Sequence, residues 1–127
     1  MNIDVGILAN ARNECRKLLT EQVGVLGVVI SSVDGFDVAS AVTRDLEPAK
    51  IAAMASSIAA IGIVVSQEAS LGASKSITVN TEDGFVYITN IELAGQLCAL
   101  NVIANSSAIL AQIIYHSGEI KRRLEVS

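Results

Sequence analysis

The chain has 127 residues, of which 51% are hydrophobic and 17% charged, and its formal net charge is -4. This length is enough for one domain with a sizeable core, and so apolar a chain can offset its ordering entropy, which excludes intrinsic disorder. The acidic balance argues against a general nucleic-acid-binding protein, because such domains are usually basic. We therefore expect a single domain over residues 1–127 and no nucleic-acid partner.

The apolar character also raises the question of a membrane. The most evenly apolar run, Ile51–Gln67, falls a little short of a bilayer span and is interrupted by serine and glycine. The N-terminus carries Asp4 and no basic stretch, unlike a signal peptide. Cys15 and Cys98 lie outside any CxxC or Cys/His cluster, as is typical of free thiols in a reducing compartment. We expect a cytoplasmic protein without a membrane partner.

The pattern of apolar residues and turn signals predicts eight elements, in the order helix, strand, strand, helix, strand, strand, strand, helix. They are a helix over Asp4–Gln22, strands over Val25–Ser32 and Asp37–Val42, a helix from Pro48 to Gly72, strands over Ser74–Asn80, Phe85–Ile91 and Gln96–Ile103, and a final helix capped by Asn105 or Ser106. In that final helix the expected inner stripe is Leu110, Ile113, Ser117, Ile120 and Leu124.

Local chemistry supports these boundaries. Asp34-Gly35 favours a tight turn, and Pro48 suits a first helical turn, where its missing N–H would be unpaired anyway. Val25–Ser32 and Gln96–Ile103 are the most apolar strands, so we expect them at the centre of the sheet. Hairpins make neighbouring strands antiparallel. The expected fold is therefore an α+β sandwich of three layers.

The middle helix is apolar nearly all round, and a helical wheel divides it into stripes. Large residues form one stripe, which we assign to the sheet: Ile51, Met54, Ile58, Ile61 and Val65. A second stripe holds only small residues, which would let another helix approach closely: Ala52, Ala55, Ala59, Gly62 and Ser66. Beyond it lie Ala53, Ser56, Ser57, Ala60, Ile63, Val64 and Gln67. Such a helix indicates a protein interface, the alternative being an alanine-rich helix that simply has high intrinsic propensity.

The strand over Ser74–Asn80 is expected at the edge of the sheet. Ile77 and Val79 point to one side of it, and Lys75 is its only charged residue. An edge this lightly protected is commonly paired with another chain. The predicted dimer interface therefore combines the small stripe of the middle helix with Lys75, Ile77 and Val79.

At three stretches the chain resembles the roadblock domain family, named from dynein light chains. The stretches are GVLGVVISSVDGFDVAS, LEPAKIAAMASSIAAIG and GFVYITNIELAGQLCALNVIANSSAILAQI. The resemblance implies a five-stranded antiparallel sheet with the middle helix on one face and both terminal helices on the other. It also implies a homodimer, or a heterodimer with a relative, that joins sheets edge to edge and pairs the middle helices.

Residues suited to catalysis are few. His116 has only Glu119 nearby in sequence, which is too few ligands for a closed zinc site, and no GxSxG turn, phosphate loop or GxGxxG motif occurs. Glu82 and Asp83 sit in a predicted hairpin turn, where turn chemistry explains them. We expect no enzymatic activity, catalytic residue, cofactor or metal.

Two classes of function remain open. The favoured one is an interaction module that binds or regulates a Ras-like small GTPase, as the resemblance implies, through the outward residues of the middle helix from Ala53 to Gln67. The alternative is a structural scaffold or cargo adaptor of dynein light-chain type without a GTPase. A rival contact surface is a basic patch on the terminal helices: Arg12, Arg16, Lys17, Lys121, Arg122 and Arg123.

Overall fold

The computed structural model describes residues 2–43 and 45–126. It contains three helices and five strands in the predicted order. In chain order these are α1 (Val5–Glu21), β1 (Val25–Ser32), β2 (Asp37–Val42), α2 (Pro48–Glu68), β3 (Ser76–Thr81), β4 (Gly84–Leu93), β5 (Gln96–Asn105) and α3 (Leu110–Glu125).

The strands form one antiparallel sheet in the order β2-β1-β5-β4-β3. The two most apolar strands, β1 and β5, are therefore neighbours at the centre, as the sequence predicts, and β3 is an edge strand. Successive side chains alternate between the two faces of a strand. Val28 and Ile30 of β1 belong to the main core with α1 and α3, whereas Val29 between them faces α2.

The main core lies between the sheet and the two terminal helices. The expected inner stripe of α3 is confirmed, since Ile113, Ser117, Ile120 and Leu124 are buried and Leu110 packs against them. The helix α2 lies on the opposite face and contacts mainly β1 and β2. The fold is thus an α+β sandwich of three layers, with a thick core on one face and a thinner one beneath α2.

The predicted cap of the last helix is wrong. The helix begins at Leu110, and its N-cap residue, Ile109, makes no side-chain cap. Asn105 still belongs to β5, where its backbone N–H bonds the carbonyl oxygen of Gly24. Its side-chain oxygen accepts a hydrogen bond from the Ser107 N–H at 2.9 Å, which closes a turn before the helix. An Asx turn and an N-cap use the same chemistry, so sequence alone does not separate them.

A partly buried ion pair joins the terminal helices. Glu14 of α1 is only 5% exposed and accepts two hydrogen bonds from Arg123 of α3, at 2.9 Å from Nε and 2.7 Å from Nη2. The Lys17 ammonium lies 3.8 Å from the same carboxylate. A forked guanidinium contact of this kind fixes the relative position of two helices more strictly than a point charge does.

Removing one partner of this pair should destabilise the fold. Arg123→Met leaves the buried Glu14 carboxylate without its two strongest donors, and we expect the free energy of unfolding to fall by about 1–3 kcal/mol. Glu14→Leu combined with Arg123→Met should recover most of the loss, because the unpaired charge is gone. Urea denaturation at one fixed protein concentration measures both. If Arg123→Met alone were as stable as the parent, the ion pair would have no stabilising role.

Candidate functional site

The two apolar stripes of α2 lie opposite to the prediction. The small residues face the sheet: Ala52 is fully buried, Ala55 is 3% exposed, and Ala59, Gly62 and Ser66 are half-buried. The assignment of the small stripe to a partner helix is therefore wrong. So is the assignment of the large stripe to the sheet.

Close packing is the physical reason for this reversal. A Cβ atom built on Gly62 would lie 2.7 Å from Cδ1 of Ile77 on β3, and at the other end of the contact Gly35 of the β1–β2 turn approaches Ala52 and Ala53. Only small side chains let the helix backbone come this near to a sheet of branched residues. The hydroxyl of Ser56 adds a hydrogen bond to the Val33 carbonyl oxygen at 3.1 Å. α2 is thus held on the sheet by its smallest residues.

The large residues of α2 are left without cover. Met54 is 58% exposed, Ile61 64% and Val65 60%, while Ile51 and Ile58 beside them are half-buried. We call these five residues the outer face of α2. A contiguous group of large apolar side chains on a monomer of this size marks an interaction site. The interface expected from the sequence stays a prediction, and the exposed large residues of α2 replace the small ones as its candidates.

The exposed edge strand β3 lies beside this helix. Ile77 is half-buried under Gly62, Val79 is 38% exposed and Lys75 is exposed just before the strand. The register of β3 with β4 runs without a shift from Ser76 to Thr81. The structure thus brings the predicted edge residues and α2 together on one side of the molecule.

The other edge strand, β2, is irregular. Ile30 of β1 pairs with Ala39 and Ser31 with Asp37, so that Val38 of β2 has no partner on β1. A bulge of this kind bends the strand and disrupts the row of backbone groups that an edge would offer. Of the two edges, β3 is the one suited to pairing.

The predicted partner-binding residues occupy the remaining side of α2. Ser57, Val64 and Gln67 are exposed, as are Ala53, Ala60 and Ile63, whereas Ser56 is held by its hydrogen bond to the β1–β2 turn. Some of them border an apolar groove of about 250 Å³ between α2 and the ends of the central strands. Its lining includes Ser56, Ala60, Ile63, Ile77, Ile88 and Ala99. Sequence patterns do not reveal this groove, because its walls come from distant segments.

Acidic side chains partly neutralise the basic patch on the terminal helices. Arg123 and Lys17 both contact Glu14, and Arg122 pairs with Glu119. Sequence reasoning missed Glu14, although its spacing from the buried Ala11, Cys15 and Leu18 places it on the inner side of α1. This surface therefore carries less net positive charge than its six cationic side chains suggest.

The single histidine, His116, lies with Glu14, Glu21 and Glu119 along a pocket between α1 and α3. His116 contacts Tyr115 edge to face, with ring centroids 5.2 Å apart. Both cysteines are buried, free thiols. Burial, followed by the charge of Glu14, raises the pKa of Cys15 to about 12, and burial also raises the pKa of Cys98. Residues 2–43 and 45–126 contain no group of three or more side chains arranged to hold a metal ion.

By length and composition alone, α2 could cross a membrane, and it is the one helix in the described ranges of which this holds. One face of α2 packs against the sheet of its own domain, however, with Ala52 and Ala55 buried there. A helix docked in this way is part of a folded domain, and its apolar outer face is exposed.

Comparison with known proteins agrees with this architecture. A structure described as MglB with a tetrameric arrangement is 15% identical, has a TM-score of 0.81, and covers 97% of this chain and 90% of that chain. MglB of Myxococcus xanthus is 13% identical, with a TM-score of 0.82 and coverages of 98% and 92%. A Roadblock/LC7 domain from Streptomyces avermitilis is 17% identical, with a TM-score of 0.77 and coverages of 88% and 92%.

At such identities these structures establish the shared fold. No curated protein sequence matches the chain significantly. The family profile described as the Roadblock/LC7 domain matches residues 12–101, which run from the middle of α1 to the middle of β5 and include all of α2. The chain belongs to the Roadblock/LC7 domain family.

Proposed function

We propose that this chain is a non-catalytic, dimeric interaction module that binds or regulates a Ras-like small GTPase. The observation that carries the proposal is the uncovered outer face of α2 beside the regular edge strand β3. The family to which the chain belongs and the MglB structures that share its fold support the same function. We place the protein in the cytoplasm.

The outer face of α2 and the β3 edge are contiguous, which favours a single interface that uses both. The Gly62–Ile77 contact sets the C-terminal half of α2 next to β3. A two-fold axis through the β3 edge would therefore bring the outer faces of two α2 helices together on one side of a continuous sheet. Met54, Ile61 and Val65 from two copies would then contribute on the order of 10 kcal/mol, which is comparable with the cost of association.

A charge on the outer face should prevent this association. We expect Ile61→Glu to be monomeric at micromolar concentration, because the dimer would bury an unpaired carboxylate. Sedimentation velocity distinguishes the two states. Val5→Glu, at a residue of α1 that is 78% exposed, is the matched control and should leave the dimer intact. A parent chain that sediments as a monomer would refute the proposed dimer.

The GTPase is proposed to bind on the side of α2 that the dimer leaves open. Ser57, Val64 and Gln67 are exposed there and uncharged; Gln67 lies away from the outer face around the helix, and Ser57 and Val64 border it. Short and β-branched side chains lose little rotamer entropy on docking, so this surface suits a partner of moderate affinity. Two adjacent α2 helices in a dimer would present it twice.

Binding measurements can locate the GTPase. The test measures the affinity of a Ras-like GTPase from the same host, loaded with a GTP analogue or with GDP, for the parent chain, Ser57→Arg and Arg16→Glu. We expect Ser57→Arg to weaken binding at least tenfold, because it places a bulky charge on an apolar contact. Arg16→Glu, on the terminal-helix surface, should bind like the parent.

The opposite pattern, with loss only in Arg16→Glu and a steep dependence on salt, would move the contact to the basic patch. A stable dimer that binds no GTPase in either nucleotide state would instead favour the scaffold or cargo-adaptor role. Saturable binding of GTP or ATP by the isolated protein, measured by calorimetry, would contradict a non-catalytic module.

A further inference from the structure

The charges along the β3 edge are separated by sign. Lys75 immediately precedes the strand, and Glu82 and Asp83 form the turn that follows it. All three side chains are exposed, and the ion pairs found in residues 2–43 and 45–126 involve none of them. The strand therefore carries a cation at its beginning and two anions at its end, each without a partner among the described residues.

Backbone geometry shows which residues of β3 can pair outward. The Asn90 N–H donates to the Lys75 carbonyl oxygen at 3.5 Å, so Lys75 directs its backbone groups toward β4. In an antiparallel ladder these directions alternate along the strand. Ile77 and Val79 therefore bond β4, and Ser76, Thr78 and Asn80 direct their N–H and C=O groups to the open edge.

A second copy of the chain fits this edge in antiparallel orientation. Residues that lie directly opposite each other in a sheet point to the same face, so Ile77 and Val79 of both copies remain on the side of α2. With Thr78 on the two-fold axis, Lys75 lies opposite Thr81 of the other copy, the last residue before the Glu82-Asp83 turn. With Val79 on the axis, Lys75 lies beside that turn itself, since the strand ends at Thr81. In both registers the long lysine side chain can reach the carboxylates of the turn.

We propose that, where the β3 edges of two copies pair, Lys75 of one copy binds the Glu82-Asp83 turn of the second copy at both ends of the paired strands. A parallel arrangement would instead place lysine beside lysine and acid beside acid. The outer face of α2 supplies most of the affinity, and these charges select the orientation and favour an identical chain over a relative. The inference rests on the dimer of the proposed function and specifies its partner.

Charge reversal tests the pairing directly. We expect Lys75→Asp alone, or Glu82→Lys with Asp83→Lys, to raise the dimer dissociation constant about tenfold, since two attractive contacts become repulsive. An equimolar mixture of the two variants should form a heterodimer of near-parental affinity, because each lysine end then meets an acidic end. A chain carrying all three substitutions should again form a homodimer.

Analytical ultracentrifugation of each variant and of the mixture, at low salt, gives these constants. Asp34→Lys with Asp37→Lys is the matched control, because it makes the same charge change at the β2 edge and should leave the constant unchanged. Circular dichroism verifies folding. If the variants dimerise like the parent, or if the mixture does not regain the parental dissociation constant, the charge pairing is refuted while the dimer stands. A monomeric parent would refute the dimer itself.

Discussion

The contact between the small residues of α2 and the sheet determines which surfaces of the molecule are available. Ala52, Ala55 and Gly62 fill the narrow space between helix and strands. A larger side chain at the buried Ala52 or Ala55 would force the helix away from the sheet, and one at Gly62 would displace the end of the Ile77 side chain. Since these residues take the inner position, the large apolar residues of the same helix must lie outside. The uncovered outer face and the groove along α2 follow from this choice of inner stripe.

The two faces of the sheet are stabilised by different means. Between the sheet and the terminal helices lies a continuous core of large side chains, closed at one end by the Glu14–Arg123 pair. On the other face, the residues that α2 itself buries are both alanines, Ala52 and Ala55, and polar groups contribute more. There Asn101 of β5, which is fully buried, donates to the Val29 carbonyl oxygen at 2.9 Å and to the Ser31 hydroxyl at 3.0 Å. One face thus holds the fold together, and the other carries the surface that we propose as the interaction site.

Sequence patterns were sufficient for most of the fold. Alternation, turn residues and helical spacing predicted all eight elements, the central position of β1 and β5 and the edge position of β3. They were insufficient to predict which stripe of α2 faces the sheet. Two neighbouring stripes of this helix are apolar, and the general preference of large residues for the interior favoured the large stripe, whereas the small one is buried. The choice depends on how closely helix and sheet approach, which depends in turn on residues such as Ile77 and Gly35 far away along the chain. The groove and the ion pair between α1 and α3 were not predicted either, because both depend on residues that are far apart along the chain.

The irregular pairing of β2 has a consequence for the size of any assembly. A sheet with two regular edges could add neighbours at both and grow into an open, fibre-like array. Here the unpartnered Val38 distorts one edge, and the other presents the same surface to its own copy. An association of that kind is isologous and closes on itself after two subunits. The bulge in β2 is thus a protection against unlimited polymerisation, built into the edge strand opposite β3.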